Sequence, residues 1–428
     1  MNRQIFFYMV IVLLVQTGNV NANQQAQQSN WNDGTLLGDW HGIRTSLNKQ
    51  GVEVVLTHKS DVMANVSGGL KRGATWMGHT EIKIDLDLER LLGWQDVDAL
   101  IDYHSDLGGK LNRHYVGGFT GVDNIEVATN TAQFYQAWMQ KSWVDEGLSV
   151  LAGLYAIDTE FYVTDSTSVF MQSPYGMANE VAQAGVNGPP IFPVGALAVR
   201  VKYAAPDHGF YAQAAVTDGV PGDPNNPHGT HIQLGHGDGV LTIVELGYIP
   251  KRQSEEGEGE ANSSIEMNKT AIGFWRFTKP MDDLVETDLS GNPVHRHSQG
   301  VYFLVERTLL TEQPDVSQGL TVFMRCGIAS KDVHQVDWSG STGIHYHGLI
   351  SGRDNDVIGL AATVNHASDK YQTINNSASI EVDYELTYLA QIRPWLSLQP
   401  TLQYFDHPGM DRSSKDATVV GFRTQINF

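Results

Sequence analysis

Ala417-Thr418-Val419-Val420-Gly421-Phe422-Arg423-Thr424-Gln425-Ile426-Asn427-Phe428 alternates along its whole length. Val420, Phe422, Ile426 and Phe428 hold one face and Arg423, Gln425 and Asn427 the other, the period of a strand with one oily and one wet side. An exposed terminal strand of this kind invites edge-to-edge aggregation, and a closed barrel removes the hazard by pairing its last strand with its first. The competing assignment is the edge strand of an ordinary sandwich.

At the other end, Arg3 precedes the apolar run 5–15 and the residues Val20-Asn21-Ala22. This reads as a secretory signal peptide over 1–22, cleaved after Ala22. The run is too short for a membrane-spanning helix, which needs ~20 apolar residues. No later stretch is long and apolar, and the mean hydropathy is −0.25. A spanning strand needs only ~9–11 residues and alternates, so a helix-based scan is blind to it. Abundant glycine (43) and few prolines (15) suit such strands. The single cysteine, Cys326, excludes an internal disulfide. With 28 Lys plus Arg against 48 Asp plus Glu, and no basic run longer than Lys71-Arg72 or Lys251-Arg252, nucleic acid is excluded as a partner.

Working inward, the segment 79–90 sets Ile82, Ile84, Leu86 and Leu88 against Glu81, Lys83, Asp85, Asp87 and Glu89. The next, 97–106, sets Val97, Ala99, Ile101 and Tyr103 against Asp98, Asp102, His104 and Asp106. Two neighbouring strands therefore share one acidic side, which in a porin lines the lumen. Thirteen further segments follow the same pattern: 51–66, 131–143, 147–158, 195–205, 208–217, 239–250, 268–279, 299–310, 318–330, 355–366, 378–392, 395–406 and 417–428. Fifteen strands is an odd number, whereas bacterial single-chain barrels have even ones. The sequence thus predicts an all-β chain, a transmembrane antiparallel β-barrel of about 16 strands, with 18 as the alternative.

Polar stretches at 218–238, 253–268, 279–298 and 331–355 are expected to be extracellular loops, with the acidic run 255–260 a solvated tip. Asp39, Trp40, Ile43, Arg44 and Leu47 have helical spacing behind a candidate N-cap, placing a short periplasmic helix in the segment 23–50 ahead of a barrel over 51–428. The pairs His295/His297 and His345/His347 fall in the expected outer loops, and without a third ligand at a recognisable spacing they carry no metal role.

Several of these stretches together resemble the carbohydrate-selective porins of the OprB family. They are Gly38-Asp39-Trp40-His41-Gly42-Ile43-Arg44, Asn65-Val66-Ser67-Gly68-Gly69, Asn124-Ile125-Glu126 and Asp158-Thr159-Glu160-Phe161-Tyr162-Val163-Thr164-Asp165-Ser166, then Pro193 through Arg200, Gln213 through Gly219, and Tyr384 through Gln403. The resemblance implies a barrel of about sixteen strands in the outer membrane of a Gram-negative bacterium, passing small neutral sugars by diffusion without a cofactor. It also implies contact with outer-membrane lipid and lipopolysaccharide, and recognition of the terminal Phe428 strand by barrel-assembly machinery.

A sugar pore needs charged hydrogen-bonding groups and aromatic platforms at a narrow point. The segment 158–194 loses strand period, carries Phe161, Tyr162, Phe170 and Tyr175 with Asp158, Glu160 and Asp165, and either folds into the lumen or caps the mouth. Arg200 and Lys202 on one strand face, and Arg325 on another, are expected to oppose those acids. The candidate solute-contacting set is Arg200, Lys202, Glu160, Asp165, Arg325 and Asp102. No serine-hydrolase elbow, zinc-protease helix or phosphate loop is present, so no enzyme activity is expected. The alternatives are a general or cation-preferring diffusion porin without sugar selectivity, and a secreted sugar-binding β-protein.

Overall fold

The computed structural model describes residues 31–206, 208–250, 267–312 and 318–428. The expected leader 1–22 and the acidic run 255–260 lie outside the described residues. Sixteen antiparallel strands form one closed barrel in sequence order. The first eight are β1 (Val52–Gly69), β2 (Gly73–Asp87), β3 (Val97–Gly108), β4 (Thr131–Trp143), β5 (Leu148–Tyr155), β6 (Ala196–Ala204), β7 (Phe210–Asp218) and β8 (Val240–Tyr248). The second eight are β9 (Asn268–Thr287), β10 (Pro293–Thr311), β11 (Gly319–Ala329), β12 (Val336–His347), β13 (Val357–Ala367), β14 (Ile380–Arg393), β15 (Leu396–Asp406) and β16 (Lys415–Asn427).

The seam is the pairing of β1 with β16, in register from Thr57 opposite Asn427 to Ala64 opposite Val420. Val420 and Phe422 project outward while Arg423 is buried in the lumen, as the terminal alternation requires. Around the barrel the outward positions are apolar, with Val199, Val201, Leu246, Ile272 and Leu402 exposed. Aromatic pairs such as Phe210 with Tyr248 and Tyr103 with Phe134 stand near the two rims, where aromatic girdles meet the membrane interfaces. No described helix is long and apolar enough to cross a membrane.

Next to the seam, a tight turn at Trp40–Gly42 leads into the helix Ile43–Lys49. Gly42, not Asp39, occupies the N-cap position. Asp39 still caps from outside, its carboxylate accepting from the backbone N–H and the hydroxyl of Thr45 at 2.8 and 2.7 Å. The helix fastens the end of the last strand: Arg44 donates to the backbone carbonyl of Phe428 at 2.5 Å, with its guanidinium over the Trp40 ring at 4.0 Å.

The sequence reading is corrected in three places. The stretch 331–355 is not one loop but contains β12, the strand the count lacked, so His345 and His347 are strand residues, with His345 buried. The stretch 279–298 is the outer part of β9 and β10, which run 20 and 19 residues to a tight hairpin, and His295 and His297 lie on β10. The expected loop 253–268 lies almost wholly outside the described residues, but β8 ends and β9 begins at the barrel end where β1 begins and β16 ends, the periplasmic end.

Candidate functional site

The β5 strand is only 8 residues long. After Tyr155 the chain turns into the barrel and re-emerges at β6, forming short helical turns at Ile157–Thr159, Asp165–Thr167, Ser173–Tyr175 and Asn179–Ala182. Its apolar residues are the reason it stays inside. Phe161, Tyr162, Met177 and Val181 are buried against inward-facing Tyr211, Trp275 and Tyr302, and Phe170 and Tyr175 against Phe323 on the far wall. Tyr162 stacks on Tyr302 with ring centroids 4.1 Å apart.

A segment so poor in regular structure leaves peptide groups to be satisfied, and the inward face of the wall supplies the partners. Glu245 on β8 accepts from the Tyr162 N–H at 2.9 Å and from the hydroxyls of Tyr211 and Tyr302, both at 2.7 Å. Glu306 on β10 accepts from the N–H and hydroxyl of Ser166 at 2.9 and 2.8 Å, and Glu385 on β14 from the N–H groups of Met171 and Gln172 at 2.7 and 2.9 Å. Arg325 on β11 donates to four loop carbonyls, those of Tyr162, Pro174, Tyr175 and Gly176, at 2.6–3.2 Å. Two wall glycines allow the close approach: a Cβ at Gly327 would stand 2.0 Å from the Glu180 carboxylate, and one at Gly359 would stand 2.9 Å from the Phe170 ring.

Between this loop and the periplasmic rim lies a cavity of about 500 Å³, within the range of small-molecule sites. Thr159, Glu160, Val163 and Asp165 line its loop side, and Lys202, Tyr211, Lys269 and Glu306 its wall. Arg200 grips the Glu160 carboxylate with two bonds at 2.8 and 3.0 Å, and Lys202 lies 3.7 Å from the same group. Tyr155 donates its hydroxyl to Glu160 at 2.7 Å. Lys269 reaches the Val163 carbonyl at 2.8 Å, and the ammonium groups of Lys202 and Lys269 lie 5.8 and 5.7 Å from the Tyr211 ring centre.

The loop acids differ in proton affinity because their surroundings differ. Burial alone would raise Glu160, but Arg200 and then Lys202 outweigh it and hold the carboxyl below the usual range. Asp165 has no such clamp; burial and then the neighbouring Glu306 push it up to about 6. Asp158, buried beneath the Tyr135 hydroxyl and the Phe192 N–H at 2.6 and 2.9 Å, is also raised, by burial.

The structure therefore gathers Glu160, Asp165, Arg200 and Lys202 around one chamber and separates the other two expected residues from it. Arg200 is 1% exposed and reaches the chamber only through Glu160, whereas Lys202 faces it. Arg325 lies behind the loop and meets carbonyls rather than the expected acids. Asp102 stands on the β3 wall opposite Lys83, 4.0 Å from its ammonium. Sequence reasoning missed Lys269, Glu245, Glu306 and Glu385. Their signal was there, each being a charged residue on the wet side of an alternating strand, as Glu245 is between Val244 and Leu246.

Similarity to known proteins agrees with this architecture. Residues 71–428 match the carbohydrate-selective porin, OprB family. Porin B of Pseudomonas aeruginosa is 25% identical over 95% of this chain and 94% of its own length. In fold, the high-pH structure of Pseudomonas putida OprB superposes with a TM-score of 0.81 at 22% identity, covering 92% of this chain and 99% of that one. The outer membrane channel DcaP of Acinetobacter baumannii superposes with a TM-score of 0.52 at 10% identity, covering 88% of this chain and 97% of that one. A closed barrel with an apolar exterior, a loop bound across its lumen and a family match over most of its length make this chain a member of the carbohydrate-selective porin, OprB family, a sugar porin of the Gram-negative outer membrane.

Proposed function

We propose that selection occurs in the loop-lined chamber, where a neutral sugar exchanges hydration for contacts with Lys202, Lys269, Glu160 and Asp165 while diffusing past Tyr211. One observation carries this: loop and wall set charged side chains of both signs, Glu160 and Asp165 against Lys202 and Lys269, around a cavity of sugar-binding size. Charged donors and acceptors at opposite sides of a narrow passage orient hydroxyl-rich solutes and suit neither a free anion nor an apolar one. Arg200 positions Glu160, and Arg325 positions the loop.

The second reading, a cation-preferring pore, rests on the inward acids Glu81, Asp85, Asp98 and Asp102, whose strands carry few opposing cations. The two readings are compatible, the acidic wall setting ion preference and the chamber setting solute preference. In the same proposal the channel performs no chemistry and needs no cofactor to conduct, the β16 strand ending in Phe428 is what the barrel-assembly machinery reads, and the outer rim meets lipopolysaccharide.

Liposome swelling with size-matched sugars, polyols and amino acids tests the main reading. Sugars should enter faster than amino acids of equal size. Rates that depend on size alone would leave a general diffusion porin.

A further inference from the structure

Three inward-facing side chains outside the chamber meet where the loop returns past β2 and β3. His79 and Asp106 are directly opposed across the two strands, and His104 lies two residues before Asp106 on the same face. Asp106 Oδ1 is 2.7 Å from His79 Nδ1, and Oδ2 is 3.4 Å from His104 Nε2. One potential ligand atom from each residue falls within a set no more than 4.8 Å across. Relative exposures are 5% for His79 and 0% for both His104 and Asp106.

A separate observation shows that this cluster is incomplete as a purely hydrogen-bonded one. Oδ2 of Asp106 and the ring nitrogens of His104 are buried without a well-formed hydrogen bond among the described residues, the backbone of Pro193 lying beside one edge of the His104 ring. Buried polar atoms are satisfied in the large majority of cases, and leaving one unmet costs about 1–3 kcal/mol. The rings are also held in place. Phe192 packs edge-on against both imidazoles at 5.5 and 5.4 Å, and Tyr135 stacks on His104 at 5.2 Å.

We propose that His79, His104 and Asp106 form a binding site for a divalent first-row transition ion of the Zn²⁺ type. Two neutral imidazoles and one carboxylate are a ligand set for Zn²⁺, with a fourth position left to water. Ca²⁺ and Mg²⁺ favour sites richer in oxygen. A bound ion would replace the direct contact between His79 and Asp106 and take up one ring nitrogen of His104 together with the unmet oxygen of Asp106. It would also fix the two rings against which Phe192 rests, joining the loop's return leg to the wall. Linear spacing conceals such a site, because its third ligand comes from the neighbouring strand.

The test uses the full barrel in detergent, dialysed against micromolar free Zn²⁺. It should retain about one ion per chain, with X-ray absorption showing imidazole scattering and first-shell N/O distances of ~2.0–2.2 Å. His104→Gln and Asp106→Asn should each lose that ion, while His295→Ala with His297→Ala, on the exposed outer hairpin, should keep it. Folding of each variant is read from its heat-dependent electrophoretic mobility. The proposal is overturned if the wild-type barrel retains no ion, if its absorption spectrum shows an oxygen-only shell, or if folded His104→Gln keeps the ion unchanged. The first two readouts need no variant, so a substitution that fails to fold does not shield the idea.

Discussion

Two groups of charged side chains share the lumen and have opposite fates. Glu245, Glu306, Glu385 and Arg325 are almost wholly buried, their hydrogen bonds going to loop peptide groups, to tyrosine, serine and threonine hydroxyls and to the Gln213 amide. Lys202 and Lys269 keep 17% and 13% of their side chains accessible and face a cavity. Both groups obey the same strand alternation. The difference comes from the loop, which converts some inward charges into tethers and leaves others for solute. An inward charge in a porin is thus available to solute only where part of it stays open to the cavity, as Lys269 does while also donating to the Val163 carbonyl.

The largest effect should come from cutting the strongest tether. Arg325→Leu removes a donor from four loop carbonyls, of which that of Tyr175 keeps the Thr167 hydroxyl, at about 1–3 kcal/mol for each one left unmet and out of reach of water. The loop should detach, single-channel conductance should rise several-fold, and sugar block of ion current should vanish. Unchanged conductance in planar bilayers would show that the loop holds without Arg325.

Gly327→Leu should act in the same direction but less strongly, because it displaces Glu180 from its bond with Ser339 and leaves the other tethers intact. Lys202→Ala combined with Lys269→Ala belongs to the other group. It should weaken sugar block by roughly tenfold, the value of one charge-assisted hydrogen bond, with a change in conductance smaller than that of Arg325→Leu, since Lys269 holds a single loop carbonyl, that of Val163. Arg200→Ala with Lys202→Ala should weaken block as well, but conductance will also shift because Glu160 loses its clamp. If neither double variant alters block, the chamber is not where selection occurs.

A smaller effect follows from pH. Asp165 is charged at neutral pH and takes up a proton as pH falls through about 6, so reversal potentials should show cation preference declining between roughly pH 7 and 5. The folded state favours the proton, so this uptake adds stability in acid and does not release the loop. Asp165→Asn should flatten the change. Glu160, held below the usual range, keeps its charge through that window, and its contribution is lost only at lower pH.

Much of this is legible in the sequence. Fifteen of the sixteen strands and the facing of Arg200, Lys202 and Arg423 follow from alternation alone. The strand β12 escaped because Ser339, Gly340, Ser341 and Gly343 separate its outward Trp338 and Ile344, so the apolar period is interrupted. The outer halves of β9 and β10 escaped for a different reason. Where a strand rises beyond the lipid its outer face meets water, and Asp282, Glu286 and His295 are free to be polar. The tethering roles were not legible at all, because they depend on where an irregular loop lands.

The contact between Arg44 and the Phe428 carbonyl joins residues 384 positions apart. The ring therefore cannot close without β16, since β1 has no second neighbour until that strand is in place. Any peptide tag fused after Phe428 would crowd the clasp that Arg44 makes, whereas the hairpin between β9 and β10 stands clear of it and offers the better place for a label.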